Sequence, residues 1–282
     1  MSTTTTTPPT AHPLVEVRDL HKVWPTAAGG GSVALDGVSF DIEPGEIAGI
    51  VGPSGAGKTT VLRIIAGLLE ATAGTVRVAG ELVTEPPPGV AVVFQDYSRS
   101  LLPWMSVLGN VTLPMRAHGV PRSEATERAR HALHSVGLTA KEQARPRQLS
   151  GGQQQRVAIA RAIAFQPSLL LMDEPFASVD AQTRMDLEDL IFPVRDEYDV
   201  TILFVTHDID EAAYLSDRVI ALTPAPARVG EIIDVGLRAP RDQVTTKQEP
   251  RFAHVREQIL ARVRQHHPVA VTTDSTAEES ND

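Results

Sequence analysis

A glycine-rich loop, GPSGAGKTT, joins two apolar runs in the first quarter of the chain. The run before it, EIAGIV, is typical of a strand, and the run after it, VLRIIAGLL, is typical of a helix. This order matches G-x-x-x-x-G-K-[ST] in the strand–loop–helix context that gives the pattern its meaning. Glycines let backbone N–H groups turn around phosphate oxygens, and the helix N-terminus adds partial positive charge. The loop therefore predicts a phosphate cradle formed by Gly52, Pro53, Ser54, Gly55, Ala56, Gly57, Lys58, Thr59 and Thr60.

Two side chains of this loop predict how a nucleotide would be held. The ammonium of Lys58 is expected to reach the β- and γ-phosphates, and the hydroxyl of Thr59 is expected to ligate Mg²⁺. A chance glycine-rich turn is the alternative interpretation. Kinases, GTPases, helicases and motors share the pattern, so the loop by itself predicts nucleotide binding and leaves the reaction open.

A second polar pair follows another apolar run, in the sequence LLLMDEP. The apolar residues 169–172 predict a strand buried on both faces of a parallel sheet, and ligands bind at the carboxyl ends of such strands. Asp173 is therefore predicted to hold Mg²⁺ or its water, and Glu174 is predicted to act as general base on an attacking water. A solvated turn is the alternative. Water as the nucleophile would make the protein an ATPase rather than a kinase.

Strand-like runs alternate with helical runs, which predicts an α/β domain with a parallel sheet. Pro193 is expected to bend or end the helix that contains it. The stretch 95–165 has few strand candidates and is predicted to be a helical insertion. The predicted strands cover residues 14–18, 33–42, 46–51, 75–79, 89–94, 168–172, 201–205, 218–222 and 228–235. The predicted helices cover residues 58–68, 124–136, 151–165, 181–197, 208–216 and 251–265.

The composition excludes several other classes of protein. None of the 282 residues is cysteine, which excludes a disulfide scaffold, a thiolate nucleophile and a Cys-ligated metal site. The formal charge of −9 disfavours a protein that coats nucleic acid. No run approaches the roughly 18–20 apolar residues that cross a bilayer, and the Thr/Pro-rich start lacks the features of a signal peptide. The chain is therefore expected to be soluble by itself, with disordered ends at 1–13 and 266–282.

A third motif, LSGGQQQR, precedes the helical run VAIARAIAF. Ser150 and Gln153 have the S-x-x-Q spacing of a capping box, and an ordinary capped helix is the simplest interpretation. Gly151 and Gly152 leave the helix N-terminus bare, which makes it a candidate second anion site. Together with GPSGAGKTT and LLLMDEP, this motif strongly resembles those of the nucleotide-binding subunits of ABC transporters, over roughly residues 14–242.

The resemblance implies roles for further residues. In this family LSGGQ is the signature motif, which contacts the ATP held by a second, facing subunit. Gln95 matches the Q-loop glutamine, which senses Mg²⁺ and water, and His207 matches the switch histidine at the γ-phosphate. Asp180 matches the D-loop at the dimer interface, and Trp24 matches an aromatic residue that stacks on adenine. For His207 and Trp24 a purely structural role is the alternative.

The resemblance also implies a fold, cofactors and partners. The fold would be a P-loop NTPase (RecA-like) core over 14–242, with an inserted helical subdomain at about 95–166, an N-terminal antiparallel β-subdomain, and a helical extension over 243–265. The cofactors would be ATP and Mg²⁺. The partners would be a second copy of the chain, integral-membrane permease subunits and, indirectly, a solute-binding protein, with no nucleic acid. The location would be peripheral, on the cytoplasmic face of the inner membrane.

One P-loop and one signature without a spanning segment resemble the ATPases of importers. The segment QDYSRSLLPWMSVLGNVTLPM after the Q-loop is similar to the nitrate/sulfonate/taurine branch, as are DAQTR, THDIDEAAYLSDRV and RAPRD. Leu101, Leu102, Pro103 and Trp104 are expected to form an exposed apolar surface for a permease helix, with packing inside the helical insertion as the alternative. A soluble ABC ATPase acting on nucleic acid or ribosomes is the second candidate function, and a non-hydrolysing regulatory module is the third.

Overall fold

The computed structural model describes residues 12–26, 30–96 and 100–264. Most of the two ends predicted to be disordered lies outside these residues. Within them, the strands are β1 (Val15–Pro25), β2 (Gly31–Ile42), β3 (Ile47–Val51), β4 (Ala73–Val78), β5 (Glu81–Leu82), β6 (Val90–Val93), β7 (Leu169–Asp173), β8 (Thr201–Val205), β9 (Arg218–Leu222) and β10 (Val229–Asp234). The helices are α1 (Lys58–Ile65), α2 (Val107–Ala117), α3 (Arg122–Ser135), α4 (Gly151–Ile163), α5 (Ala181–Tyr198), α6 (Ile209–Leu215), α7 (Thr245–Gln248) and α8 (Pro250–Arg264).

The larger of two sheets has the strand order β10-β9-β3-β8-β7-β6. β3, β6, β7, β8 and β9 are parallel, and β10 runs antiparallel to β9 at one edge. β3, β7 and β8 are buried along their whole length, which for β7 confirms the burial predicted from its apolar residues 169–172. Because these strands are parallel, their carboxyl ends meet at one edge of the sheet, where the predicted site residues follow them.

Alternate residues of each central strand face opposite layers of the core. In β7, Leu170 and Met172 pack with the helices α4 and α5 on one side. Leu169 and Leu171 pack on the other side with α1 and with a smaller sheet, which has the order β2-β1-β4-β5 and is antiparallel throughout. The two-residue period of a strand thus divides a continuous apolar run between two cores.

Several predicted boundaries are wrong, and α1 shows why. The helix predicted to reach residue 68 ends at Ile65, because Gly67 adopts a left-handed φ of +68°. The N–H of Gly67 donates to Ile64 O at 3.0 Å and that of Leu68 to Arg63 O at 2.9 Å, which is a Schellman motif. A Cβ at Gly67 would lie 2.3 Å from Glu85 O, so the close approach of the chain there also requires glycine.

The other predicted helices differ from their predicted limits by only one or two residues at either end. α4 ends at Ile163 rather than 165. Pro193 does not end α5, which continues to Tyr198. Ile191 and Val194, on either side of this proline, are buried in the core. Packing of an apolar face therefore outweighs the loss of one backbone hydrogen bond.

The stretch between β6 and β7 contains helices and no strand among its described residues, as predicted. No sequence pattern predicts α2, because Gly109, Asn110 and Pro114 interrupt its helical periodicity. Ser106 caps this helix by accepting from the N–H of Gly109 at 3.1 Å. No helix in the described ranges has the length and apolar character that crossing a bilayer requires.

Candidate functional site

The glycine-rich loop connects the buried β3 to the N-terminus of α1. Gly55 and Gly57 both have a left-handed φ of +78°, and a Cβ at Gly57 would lie 2.7 Å from Leu35 Cδ2. Gly57 is the N-cap of α1 and offers no side chain to its first N–H groups. The loop therefore presents unpaired backbone donors at a helix N-terminus, as an anion site requires.

Lys58 is held inside this loop and is only 8% exposed. Its ammonium donates to Gly52 O at 2.9 Å and to Pro53 O at 3.0 Å, so both acceptors are neutral carbonyls. Burial lowers the pKa of Lys58, and the nearby carboxylates of Glu174 and Asp173 oppose that shift. The side chain is positioned as a positive charge for an anionic ligand.

Thr59 and Asp173 meet although 114 positions separate them. The hydroxyl of Thr59 donates to Asp173 Oδ1 at 2.8 Å. Burial raises the pKa of Asp173, and the bond from Thr59 and the charge of Arg63 oppose this. A hydroxyl and a carboxylate are oxygen donors of the kind Mg²⁺ prefers, and Mg²⁺ is commonly held by one or two protein groups together with phosphate and water. The described residues contain no cluster of three or more acidic, His or Cys side chains suited to a metal, so the fit is to this phosphate-assisted mode.

Glu174 lies at the centre of a group contributed by three strands. Its Oε2 accepts from Gln95 Nε2 at 3.0 Å and lies 3.2 Å from His207 Nδ1. Gln95 follows β6, Glu174 follows β7 and His207 follows β8, so the parallel order brings them together. Glu174 also has a positive φ of 45°, a conformation that costs a non-glycine residue energy and is concentrated at functional sites.

An open cleft of about 660 Å³ lies over the loop. Trp24 forms part of the lining, is 42% exposed, and has Lys22 Nζ 4.7 Å from its ring centroid. Glu174 and His207 line the same cleft at the end of the phosphate cradle. The structure therefore brings together Trp24, the residues 54–60, Glu174 and His207, with Gln95 and Asp173 hydrogen-bonded to them.

The LSGGQ residues lie elsewhere. Neither they nor Asp180 contribute to the lining of this cleft. The predicted capping box at the start of α4 is confirmed: the N–H of Gln153 donates to Ser150 Oγ at 3.3 Å, and the N–H of Ser150 donates to Gln153 Oε1 at 3.1 Å. In a single chain, this helix end is therefore not part of the cleft that holds the glycine-rich loop.

Thr183 joins the signature segment to the segment of Asp180. Asp180 caps α5, accepting from Thr183 N at 3.0 Å and from Thr183 Oγ1 at 2.7 Å, and these bonds lower the pKa of Asp180. A Cβ at Gly152 would lie 2.2 Å from Thr183 Cγ2. Gly152 is thus required by the close packing of α4 on α5, a constraint that the sequence pattern does not reveal.

Other residues of the cleft have no motif that marks them. Ser32, Val33 and Ala34 come from β2, and Ala225 comes from the loop after β9. β9 is the neighbour of β3 in the sheet, which places its following loop beside the cradle. Ala225 could be predicted as a cleft residue only if the order of the parallel strands were already known.

The chain is similar to known proteins over most of its length. A family model described as ABC transporter matches residues 35–177. The nitrate transport protein NasD of Klebsiella oxytoca is 41% identical over 92% of this chain and 99% of its own length. The bicarbonate transport ATP-binding protein CmpD of Synechocystis sp. is 39% identical over 86% of each chain.

A solved structure agrees with the fold. The dimeric post-hydrolysis state of the ATP-binding cassette MJ0796, bound to ADP and Pi, superposes with a TM-score of 0.67 at 32% identity. The match covers 78% of this chain and 98% of that one. The predicted fold class, an α/β P-loop NTPase core, is thereby confirmed.

Proposed function

This chain belongs to the ABC transporter family, and from that premise we propose that it is the ATPase subunit of an importer that drives uptake of a small solute through a separate permease. The observation that carries the proposal is the Glu174 carboxylate, held between Gln95 and His207 at the end of the cradle. A carboxylate in that place can take a proton from water beside the terminal phosphate.

The cleft has a position for each part of ATP. The phosphates would accept from the N–H groups of the loop and of the first turn of α1, and from the ammonium of Lys58. The adenine would stack on Trp24, which is half-exposed in the lining of the same cleft. Thr59 and Asp173, with Gln95, would hold Mg²⁺, which supplies neutralisation of phosphate charge when it is bound.

Hydrolysis would then proceed by attack of water on the γ-phosphorus. Glu174 takes the proton of the attacking water on its carboxylate, while Gln95 donates to Oε2 and fixes the carboxylate. His207, at the same oxygen, would contact the γ-phosphate and report its presence. The bond from the γ-phosphorus to the bridging oxygen breaks, leaving ADP and phosphate.

The site would be completed by a second copy of the chain. The LSGGQ residues do not line the cleft of their own chain. Their helix N-terminus would be a second anion site. The similar cassette MJ0796 was solved as a dimer with ADP and Pi, which supports the same arrangement here. Ser150, Gly151, Gly152 and Gln153 would then contact the ATP of the facing subunit, and Asp180 would lie at the interface.

Replacing Ser150 by alanine is expected to lower kcat roughly ten- to a hundredfold, because the hydroxyl is lost as a donor to phosphate across the interface. ATP affinity of the isolated chain is expected to stay within about twofold of the unsubstituted value. Steady-state phosphate release and equilibrium ATP binding at low protein concentration measure the two quantities. A large loss of affinity in the monomer would argue against action in the facing subunit.

Ser106 provides a matched control for this substitution. It caps α2 with φ and ψ of −67° and 165°, against −66° and 164° for Ser150. Both serines accept from the N–H three residues later. Ser106→Ala should lose a cap worth about 1 kcal/mol while leaving kcat unchanged, which separates the loss of a cap from the loss of a ligand.

The permease is proposed to contact the apolar surface that follows Gln95. The expectation for this surface was partly wrong: Leu101 is buried in the core, and only Trp104, at 69% exposure, projects fully into solvent. The turn that contains Leu102 is held by Asn110, whose Oδ1 accepts from Leu102 N at 2.7 Å and whose Nδ2 donates to Leu102 O at 3.1 Å.

A groove between β6 and the helices α2 and α4 is a second feature of this part of the structure. β6 ends at Val93, two residues before Gln95. A permease segment that docks in this groove would therefore be able to shift Gln95, the residue that donates a hydrogen bond to Glu174.

Isolation from detergent-solubilised membranes tests the importer assignment. The chain with a polytopic permease bound is the expected result, and Trp104→Ser is expected to reduce the recovered permease severalfold through loss of buried aromatic area. Leu82→Ser is the control, because Leu82 is 48% exposed on the smaller sheet, away from this surface. Recovery of nucleic acid or ribosomes without a permease would instead support the second candidate function.

The solute is proposed to be a small anion or organic solute of the nitrate, sulfonate or taurine type. Relatives of similar identity are named for nitrate and for bicarbonate transport, so similarity of the ATPase sequence does not distinguish between these solutes. The permease and its binding protein would select the solute, and the chain would sit peripherally on the cytoplasmic face of the membrane.

A further inference from the structure

A buried charged group lies directly behind His207 and has no role in the mechanism above. The hydroxyl of Thr206 donates to Glu211 Oε2 at 2.6 Å, and both residues are at most 4% exposed. Asp208 caps α6, with Oδ1 accepting from the N–H of Asp210 at 2.8 Å and of Glu211 at 3.2 Å. The backbone on both sides of His207 is therefore tied to two carboxylates.

Arg184 connects these carboxylates to α5. Its Nη1 donates to Asp208 Oδ2 at 3.3 Å, and its Nε lies 3.7 Å from Glu211 Oε1. That Nε is buried and has no hydrogen-bond partner. An approach of roughly 0.8 Å would complete a hydrogen bond of ordinary length to Glu211. The guanidinium thus binds the carboxylate of Asp208 and lies just beyond hydrogen-bonding distance of the carboxylate of Glu211.

The same arginine is one helical turn from the proposed dimer contact. The N–H of Arg184 donates to Asp180 O at 2.9 Å, in the first turn of α5. A shift of the Asp180 segment therefore moves the backbone that carries Arg184. The His207 side chain is 64% exposed, so few packing contacts hold the imidazole. Its position therefore depends on the backbone at Thr206 and Asp208.

We propose that Arg184 is a positioning residue, which transmits contact of the partner copy at Asp180 to His207 by closing on Asp208 and Glu211. The inference rests on the proposed function in one respect, that Asp180 lies at the interface of an ATP-bound dimer. Closure of the guanidinium on Glu211 holds the start of α6, and with it the distance from His207 to Glu174. Hydrolysis in each site then depends on the partner being in place.

The charges around Glu211 provide a readout that a merely structural arginine would not move. The pKa of Glu211 is raised to about 7, mainly by burial and further by the charges of Asp208 and Glu188, while the hydrogen bond from Thr206 and the charge of Arg184 oppose the shift. Glu188 is the buried acid of α5 that faces Glu211, and Lys247 of α7 lies 3.9 Å from the Glu188 carboxylate. Without Arg184 the pKa of Glu211 rises, so a larger fraction of the carboxylate is neutral at pH 7.

Substitution of Arg184 by glutamine tests the proposal in the full chain. The expected result is a kcat lowered roughly ten- to a hundredfold with ATP affinity within about twofold of the unsubstituted value, because His207 is misplaced while the cradle is intact. The acid limb of the kcat–pH profile should move to higher pH. Arg184→Lys keeps the positive charge and should recover part of kcat.

Arg195→Gln is the matched control, since Arg195 lies on the same helix and pairs with Asp196 and Asp217, away from His207. An unchanged kcat or an unmoved acid limb in R184Q would overturn the proposal. So would an equal loss of kcat in R184Q, R184K and R195Q, which would indicate that α5 is simply destabilised. Gel filtration separately measures whether the unsubstituted chain dimerises in the presence of ATP. A failure to dimerise would count against the proposed dimer rather than against Arg184.

Discussion

Replacing Glu174 by glutamine is expected to lower kcat for ATP hydrolysis by roughly a hundredfold to ten-thousandfold, the contribution of a positioned general base. Glutamine has nearly the shape of glutamate, and its amide oxygen can still accept from Gln95 Nε2, which lies 3.0 Å from Glu174 Oε2. The amide cannot take a proton from water. The geometry of the site is therefore retained while its base is removed.

ATP binding should persist in this variant, because Lys58 and the loop N–H groups are untouched. The ATP-bound dimer is therefore expected to accumulate, which gel filtration with ATP and Mg²⁺ would detect. Steady-state phosphate release measures kcat. Glu257→Gln, an exposed carboxylate on α8, is the control and should change neither quantity. Unchanged turnover in E174Q would show that another group is the base.

Replacing Lys58 by alanine is expected to weaken ATP binding by roughly one to two orders of magnitude. The ammonium is the buried cation of the cradle, held by Gly52 O and Pro53 O, and its hydrogen bonds to phosphate would be charge-assisted on both sides. Truncation also leaves the two carbonyls without their donor, so the loop loses a contact that closes it. Equilibrium binding of ATP measures the loss.

The thermal response to ATP separates binding from folding in this variant. A ligand that binds only the folded chain raises its unfolding temperature, and K58A should lose most of that rise while unfolding without nucleotide changes little. Lys141→Ala, on an exposed lysine, is the control and should keep the full response. Full ATP affinity in K58A would exclude the proposed role of the cradle.

Parts of this site were predictable because each depends on a few neighbouring residues. The spacing of Gly52, Gly57 and Lys58 predicts the turn and the charge, and the spacing of Ser150 and Gln153 predicts a cap that the structure confirms. The burial of residues 169–172 follows from an uninterrupted apolar run. Such patterns are local, and local backbone conformation and side-chain chemistry are what they determine.

Other parts depend on contacts between residues far apart in the chain. The helix end at Gly67 depends on the chain at Glu85, and the requirement for glycine at position 152 depends on Thr183 of α5. The burial of Leu101 depends on the helices of the insertion that surround it. The placement of Arg184 between Asp208 and Glu211 depends on how α5 packs beside α6. Spacing in the sequence cannot reveal such contacts.

Residue types and their spacing are enough to predict the chemical groups of this protein and the short motifs that present them: a glycine-rich loop for phosphate, an Asp–Glu pair after a buried strand, and a capped helix that begins with two glycines. Which of these motifs share a site depends on the fold. The parallel strand order places the ends of β3, β6, β7 and β8 at one edge, so that Lys58, Gln95, Glu174 and His207 meet there. The same packing leaves Ser150 outside the cleft. Strand order depends on the burial of apolar side chains on both faces of the sheet, and the free energy of that burial comes from contacts between residues far apart in the chain.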